Sequence, residues 1–139
     1  MSAVLWAALA ACIWGIAPLI EKLGLSGTPP VIGVFARSLG VVAAVLVFGA
    51  LWSPWKALGG ISLRSFLLLA FGGFLASFVG QMAFYQALKH GPISQVTPVS
   101  GAYPLIAALL GWCILREPFT ALRAIGVLLV VAGVSLLRH

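Results

Sequence analysis

HGPISQVTPVSGAYPLIAALLGWCIL, residues 90–115, is long and apolar enough to cross a bilayer but has prolines in its interior. At 1.5 Å per residue it exceeds a hydrocarbon core of roughly 30 Å. Pro98 and Pro104 each lack the N–H that a continuous helix needs. In lipid, the backbone groups freed in this way are satisfied by neighbouring helices, hydroxyl side chains or water. The stretch predicts a broken membrane-spanning helix, which either packs in a bundle or lines a cavity.

Polar side chains lie beside these breaks. Thr97, Ser100 and Tyr103 are deep enough in the stretch to contact a substrate near the middle of the membrane. Small residues recur at helical spacing and form a stripe that permits close approach of a helix or a ligand. The stripe consists of Thr97, Gly101, Pro104, Ala108 and Gly111. Both helix packing and substrate contact explain such a stripe.

The composition extends this reading to the whole chain. Of the 139 residues, 63% are hydrophobic and 7% charged, far from the roughly 45–50% apolar and 25% charged residues of soluble proteins. The chain is therefore predicted to be an all-α integral membrane protein, a multi-pass protein in contact with the lipid bilayer. The eight basic residues lie mostly between apolar runs, which favours contact with lipid headgroups over nucleic-acid binding.

Five apolar segments are predicted to form one five-helix transmembrane domain over residues 1–139. Short connections make consecutive helices antiparallel neighbours. The first segment has no preceding basic residue, so it is expected to stay as a span and not to be a signal peptide. Cys12 and Cys113 are interpreted as small hydrophobic residues, and no metal or cofactor site is expected. The predicted spans are 3–20, 30–52, 65–88, 92–115 and 119–137.

The loop charges do not fix the orientation of the chain. With five spans, four basic residues fall on the N-terminal face and three on the other, a weak positive-inside bias. The sequence therefore permits dual topology, in which copies insert both ways round. The N-terminal face carries Lys56, Arg64, Arg116 and Arg123, and the other face carries Lys22, Lys89 and Arg138.

Arg37 is the basic residue predicted to lie furthest inside a span, about seven residues into the second helix. A charge at that depth is costly unless it is offset. It either snorkels or binds helix carbonyls, or it faces a cavity and attracts a carboxylate or phosphate of a substrate. Trp14, Ser77 and Gln81 are further candidates for the cavity wall, and bundle packing is the alternative explanation for each.

The acids Glu21 and Glu117 are predicted at opposite membrane faces. Their simplest interpretation is as surface partners of Lys22 and Arg116. Neither lies in mid-membrane, which disfavours exchange of cations for protons at a deep carboxylate. There is no carboxylate pair and no His/Cys cluster, so no enzyme is predicted.

Several short motifs follow one another along the chain. They are Trp14-Gly15, Arg37, Gly72-Gly73, Ala83-Phe84-Tyr85-Gln86-Ala87-Leu88, Tyr103-Pro104-Leu105, Arg116-Glu117-Pro118, Gly126 and Gly133-Val134. In this order and spacing they resemble an EamA-type repeat of the drug/metabolite transporter superfamily. The resemblance covers essentially the whole chain.

This resemblance implies a carrier of a small metabolite or drug-like molecule in the inner membrane of a bacterium or archaeon. Family members usually carry two repeats in opposite orientations, ten helices around a central cavity, whereas this chain has one. An antiparallel homodimer would supply the second half, because such transporters bind substrate at the repeat interface. The alternative is a non-transporting membrane subunit, or a half-transporter that acts with a different protein. The resemblance also suggests that Glu117 forms a gate or a helix-end contact, in addition to the helix breaks expected at Pro98 and Pro104.

Overall fold

The computed structural model describes residues 3–52, 59–118 and 120–136, without the side chain of Ser135. These residues form helices joined by short turns, and no strand occurs among them. The prediction of an all-α membrane protein is confirmed. The elements are α1 (Ala3–Gly24), α2 (Pro30–Trp52), α3 (Leu63–Phe74), a π-helical segment (Leu75–Gly80), α4 (Gln81–His90), α5 (Ile93–Ser100), α6 (Tyr103–Cys113) and α7 (Ala121–Leu136).

Four helical stretches are long and apolar enough to span a bilayer. They are Ala3–Gly24, Pro30–Trp52, Leu63–His90 and Ile93–Cys113, the last two being compound helices. The fifth helix, α7, has 16 described residues, about 24 Å. The ends of the predicted fifth span, Phe119 and Leu137, lie outside the described residues, as do the loop charges Lys56 and Arg138.

The central stretch is broken, as its prolines predicted, at a turn between α5 and α6. Pro98 lies inside α5, and the helix continues to Ser100. The turn itself is at Gly101 and Ala102, where the Gly101 N–H donates to the Thr97 carbonyl at 2.8 Å. Pro104 then occupies the first turn of α6, where its missing N–H costs no helical bond.

The chain divides into two compact units, residues 1–89 and 90–139. The prediction of a single domain over residues 1–139 stays a prediction, and each unit is described by itself. In the first unit the tight turn after α1 begins with a 2.9 Å bond from Leu25 N–H to the Glu21 carbonyl. Gly27 has φ 74°, a left-handed conformation that glycine adopts without strain. This turn brings the end of α1 against the start of α2.

Close packing in the first unit is concentrated beside that turn. Its fully buried apolar side chains are Leu25, Val34, Tyr85 and Leu88, each 6% exposed or less. Elsewhere apolar side chains are widely exposed, as expected of a surface that faces lipid. The space beside Gly40 and Gly72 is open, because a Cβ added at either glycine would meet no neighbouring group within 4 Å.

The second unit is built on contact between α6 and α7. The connection joining them folds back on α6, because the Glu117 N–H donates to the Gly111 carbonyl at 3.2 Å. Arg116 has φ 52°, an uncommon conformation for a residue with a Cβ. At the start of α7, the Arg123 Nη1 donates to the Pro118 carbonyl at 3.1 Å. These bonds fix the carboxyl end of α6 and the amino end of α7 together.

Candidate functional site

An ion pair between Glu21 and Arg37 lies inside the first unit. The Arg37 Nε is 3.4 Å from the Glu21 Oε1, and the two side chains are 32% and 19% exposed, arginine first. Glu21 is three residues from the end of α1 and Arg37 seven residues into α2. At 1.5 Å per residue these positions are about 5 and 10 Å below the turn. The pair therefore lies one to two helical turns below the connection between α1 and α2.

Two polar side chains from α4 complete this polar cluster, which we define as Glu21, Arg37, Gln81 and Tyr85. The Gln81 Nε2 donates to the Glu21 Oε1 at 3.2 Å. The Tyr85 hydroxyl lies beside the carboxylate of Glu21 and the amide of Gln81, and its residue is 3% exposed. The Glu21 carboxylate of α1 thus contacts polar side chains from two other helices, α2 and α4.

The cluster is held in place by a close contact between α2 and α4. A Cβ at Gly33 would lie 3.0 Å from the Tyr85 Cε2 and 2.7 Å from the Leu25 Cδ2. A side chain at this position would require the Leu25 side chain and the Tyr85 ring to move. Val34 and Leu88, each 1% exposed, pack in the same region. Burial of these apolar groups fixes the helix faces that carry the polar side chains.

Two lysine side chains form hydrogen bonds at the end of the first unit that contains the turn after α1. The Lys22 Nζ donates to the Leu88 carbonyl near the end of α4 at 2.7 Å. The Lys89 Nζ donates to the Thr28 carbonyl in the turn at 3.1 Å. A cation near the carboxyl end of a helix is stabilised by the helix dipole and by the unpaired carbonyls. Both bonds tie α4 to the end of α1 and the turn that follows.

The geometry corrects the interpretation of Glu21 as a surface partner of Lys22. Its carboxylate pairs with Arg37, whereas Lys22 binds a backbone carbonyl. The positive charge of Arg37 is offset by the Glu21 carboxylate and not by the helix carbonyls that were the alternative. The two side chains face each other because α1 and α2 are antiparallel neighbours and both residues lie within two or three helical turns of the same connection. Counting residues from the turn could have revealed this pair.

The remaining predicted residues of the first unit lie apart from the cluster. Trp14 is 63% exposed on α1, seven residues before Glu21 and so about 10 Å from it along the helix. Ser77 is exposed and lies in the π-helical segment. Such segments interrupt an α-helix and are frequent at functional sites. Of the four site residues predicted in the first unit, Arg37 and Gln81 lie together in the polar cluster.

In the second unit the predicted polar residues lie on either side of the break. Thr97 and Ser100 are on α5 and Tyr103 begins α6. The Thr97 hydroxyl is buried and has no hydrogen-bond partner in the described part of the chain. A buried hydroxyl without a partner costs about 1–3 kcal/mol. Ser100 is exposed and Tyr103 is 55% exposed, so both are accessible from outside the unit.

Glu117 lies in the connection between α6 and α7, where its side chain is exposed. Its carboxylate packs over Gly111, since a Cβ at that glycine would be 3.4 Å from the Glu117 Oε2. Glu117 was predicted to be a surface partner of Arg116. Among the described residues the ion pair is that of Glu21 and Arg37, so Glu117 and Arg116 do not form one. No group of three His, Cys, Asp or Glu side chains that could hold a metal occurs within residues 3–52, 59–118 and 120–136.

Two relatives match this chain over nearly its whole length. A relative from Archaeoglobus fulgidus named as an uncharacterized transporter is 23% identical over 99% of this chain, but the chain spans about half of that relative, 48%. An uncharacterized protein of Methanocaldococcus jannaschii is 24% identical over 98% of this chain and 96% of its own length. No solved structure matches.

The EamA-like transporter family matches residues 1–138, nearly the whole chain. Family members are multi-pass transporters and not enzymes, which confirms the predicted absence of an enzymatic function. The apolar helices of the structure fit this assignment, because four stretches are long enough to cross a bilayer. Such helices are stable in contact with a lipid bilayer. The chain belongs to the EamA-like transporter family.

Proposed function

We propose that the chain is half of a secondary carrier for a small metabolite or drug-like molecule in the inner membrane of a bacterium or archaeon. The observation that carries the proposal is the polar cluster of Glu21, Arg37, Gln81 and Tyr85 within otherwise apolar helices. Ionisable residues inside membrane spans are expensive, and they commonly mark substrate or ion pathways. The membership of a transporter family supports this reading over a purely structural one.

Arg37 is proposed as the residue that binds an anionic group of the substrate. Its Nε faces Glu21, and its other N–H groups donate to no side chain or carbonyl of the described residues. A carboxylate or phosphate can bind that edge of the guanidinium with two parallel hydrogen bonds. Glu21 would then hold the guanidinium plane in a fixed orientation while the substrate binds. Gln81 positions Glu21 in turn.

The other proposed cavity residues are Trp14 and Ser77 in the first unit and Thr97, Ser100 and Tyr103 in the second. Thr97 has the clearest support, because its buried hydroxyl lacks a hydrogen-bond partner among the described residues and a polar substrate group would supply one. The turn at Gly101 and Ala102, between Pro98 and Pro104, is the proposed site of helix movement. Glu117 is proposed to gate the adjacent end of α6.

The second half of the carrier is proposed to be an oppositely inserted copy of this chain. The Archaeoglobus relative is about twice as long as the matched region, so it has room for two such halves in one polypeptide. The Methanocaldococcus relative has nearly the length of this chain. Inverted halves place the substrate site at their interface near the bilayer midplane. The near-balanced loop charges permit the two insertions that this arrangement needs.

Efflux from vesicles tests the carrier function. Purified protein is reconstituted into vesicles loaded with a defined mixture of organic acids, phosphate esters, neutral sugars and amines, and release is followed by mass spectrometry. Release of one acidic class by the protein alone is expected. Arg37→Ala should abolish it and Arg37→Lys should reduce it, because lysine keeps the charge but not the planar pair of donors. Arg64→Ala, at an exposed arginine outside the cluster, is the matched control.

Full release by both Arg37 variants would remove the proposed role of Arg37 while leaving the carrier intact. No release of any class, together with a different membrane protein that co-purifies and restores release, would show a half-transporter that needs another partner. Reporters fused at the C-terminus test the homodimer. Signals from both membrane faces are expected, and a signal from one face would contradict dual insertion.

A further inference from the structure

The second unit contains an apolar cavity that the polar cluster does not involve. Its volume is about 240 Å³, and it lies between α6 and α7. The walls include Leu105, Leu109 and Trp112 from α6 and Val127 and Leu128 from α7. Leu109, Trp112 and Leu128 are 49%, 49% and 64% exposed. The cavity therefore opens onto the exposed apolar surface of this unit.

Charged groups occur at one end of this cavity. Glu117 and Arg123 belong to its lining, and both side chains are exposed. Arg123 is the third residue of α7 and donates one N–H to the Pro118 carbonyl. Glu117 and Arg123 do not form an ion pair with each other, because the ion pair among the described residues is that of Glu21 and Arg37. Each therefore remains accessible to a ligand of opposite charge.

The apolar part of the cavity extends along α6 and α7 away from these charges. Leu105 is seven residues before Trp112 on α6, a distance of about 10 Å along the helix. Val127 and Leu128 are four and five residues beyond Arg123 on α7, about 6–8 Å deeper. The volume is below the roughly 300–1,000 Å³ of sites that enclose a drug-sized ligand. A fitting occupant is one that places only part of an apolar chain here.

We propose that this cavity binds a zwitterionic phospholipid with a primary ammonium group. One acyl chain lies against Leu105, Leu109 and Leu128, the phosphate binds Arg123, and the ammonium binds Glu117. Apolar walls alone accept the chain of any lipid. The pair of opposite charges selects the headgroup, because an anionic lipid without an ammonium leaves Glu117 unpaired beside added negative charge. A quaternary ammonium has no N–H to donate to the Glu117 carboxylate, whereas a primary ammonium forms a charge-assisted hydrogen bond. A lipid at this position stabilises contact between α6 and α7.

Quenching of Trp112 by brominated lipid measures occupancy directly. Trp6, Trp14, Trp52 and Trp55 are replaced by Phe, and the protein is placed in phosphatidylcholine vesicles containing a minor fraction of brominated phosphatidylethanolamine or brominated phosphatidylglycerol. Trp112 should be quenched about two- to fivefold more effectively by the ethanolamine lipid, the selectivity expected of one exposed ion pair. Mass spectrometry of lipids retained by the unaltered protein should show the same enrichment, independently of the Trp replacements.

Single substitutions separate the two headgroup contacts. Glu117→Gln should remove the preference for ethanolamine over glycerol, because the ammonium loses its partner. Arg123→Gln should weaken quenching by both lipids, because both carry the phosphate. Arg64→Gln, an exposed arginine near the start of α3, should change neither measurement.

Other occupants give other outcomes. Equal quenching by both lipids, unaffected by Glu117→Gln and Arg123→Gln, would show unselective lipid contact and would overturn the proposal. Absent quenching by either lipid, with efficient disulfide crosslinking of two chains through Val127→Cys, would show that a second copy fills the cavity. That result would overturn the proposal as well.

Discussion

The two acidic residues of this chain have opposite surroundings. Glu21 is 19% exposed and pairs with Arg37, while Gln81 and Tyr85 add polar contacts from α4. Glu117 is exposed in a connection between helices, where its carboxylate lies over Gly111. Both residues looked alike in the sequence, as acids at the ends of spans beside a basic neighbour.

The difference shows that neighbouring charge along the chain is a poor guide to pairing. Lys22 follows Glu21 directly but binds the Leu88 carbonyl, and the carboxylate binds an arginine from the next helix. A carboxylate that is partly buried requires a partner that reaches it at the same depth. An exposed carboxylate is solvated and needs none. Substitutions around the two acids test whether the Glu21 carboxylate contributes to the free energy of unfolding and the Glu117 carboxylate does not.

Arg37→Ala should have the largest effect, because it leaves the Glu21 charge inside the helices without its counter-ion. Removing one partner of a buried ion pair costs about 3–5 kcal/mol. The lower end, about 3 kcal/mol, is expected here because both side chains keep some exposure. Reversible unfolding in mild detergent measures the change in unfolding free energy. Arg116→Ala, beside Glu117, is the control and should change it by less than about 0.5 kcal/mol. Equal losses in the two variants would remove the distinction between the acids.

Gly33→Ala should have the next largest effect, because the new Cβ would overlap the Leu25 side chain and the Tyr85 ring. Overpacking of this kind costs about 1–3 kcal/mol, and displacement of Tyr85 should disturb the surroundings of Glu21. Gly40→Ala on the same helix is the matched control, since nothing lies within 4 Å of a Cβ there. It should be neutral or slightly stabilising. Thermal unfolding of both variants measures the effects, and a stable Gly33→Ala protein would contradict the close contact between α2 and α4.

The apolar architecture was predictable from the sequence because it follows from composition and periodicity. Hydropathy alone indicated five helical segments, and the prolines of residues 90–115 indicated a break. The position of the break was less predictable. Pro98 remains inside α5, and the turn occurs at Gly101 and Ala102, just before Pro104. Proline is well tolerated in the first turn of a helix, so Pro104 is compatible with a helix that starts at Tyr103, directly after the turn.

The polar cluster was predictable only in part. The depth of Arg37 within α2 marked it as a residue that needed a partner. Its partner depended on helix rotation, which is set by packing of Leu25, Val34, Tyr85 and Leu88. Hydropathy does not specify that rotation. Tyr85 in particular was interpreted as part of a family motif, although its position against Gly33 places it beside Glu21.

Lys22→Met should have a moderate effect on the same end of the first unit. The variant keeps an apolar side chain but loses the 2.7 Å bond to the Leu88 carbonyl, and a loss of about 1 kcal/mol is expected. Lys89→Met is the comparison, because its bond to Thr28 is exposed and should contribute less. The unfolding free energy of each variant measures this. A larger loss of unfolding free energy for Lys89→Met than for Lys22→Met would show that the exposed bond to Thr28 stabilises the unit more than the bond to Leu88.

Glu117→Gln should have the smallest effect on stability. The side chain is exposed, and substitutions at such positions change the unfolding free energy by less than about 0.5 kcal/mol. The same variant should lose lipid-headgroup selectivity at Trp112, so stability and binding are affected separately. A loss of stability as large as that of Arg37→Ala would show that Glu117 has a buried partner.

A double-mutant cycle on Glu21 and Arg37 tests the central claim most directly. Unfolding free energies are measured for Glu21→Gln, Arg37→Gln and the double variant. The two residues are in contact, so we predict that the double variant is more stable than the sum of the single losses implies, by at least about 1 kcal/mol. Additivity within about 0.5 kcal/mol, the behaviour of independent sites, would contradict a coupled ion pair inside the transporter.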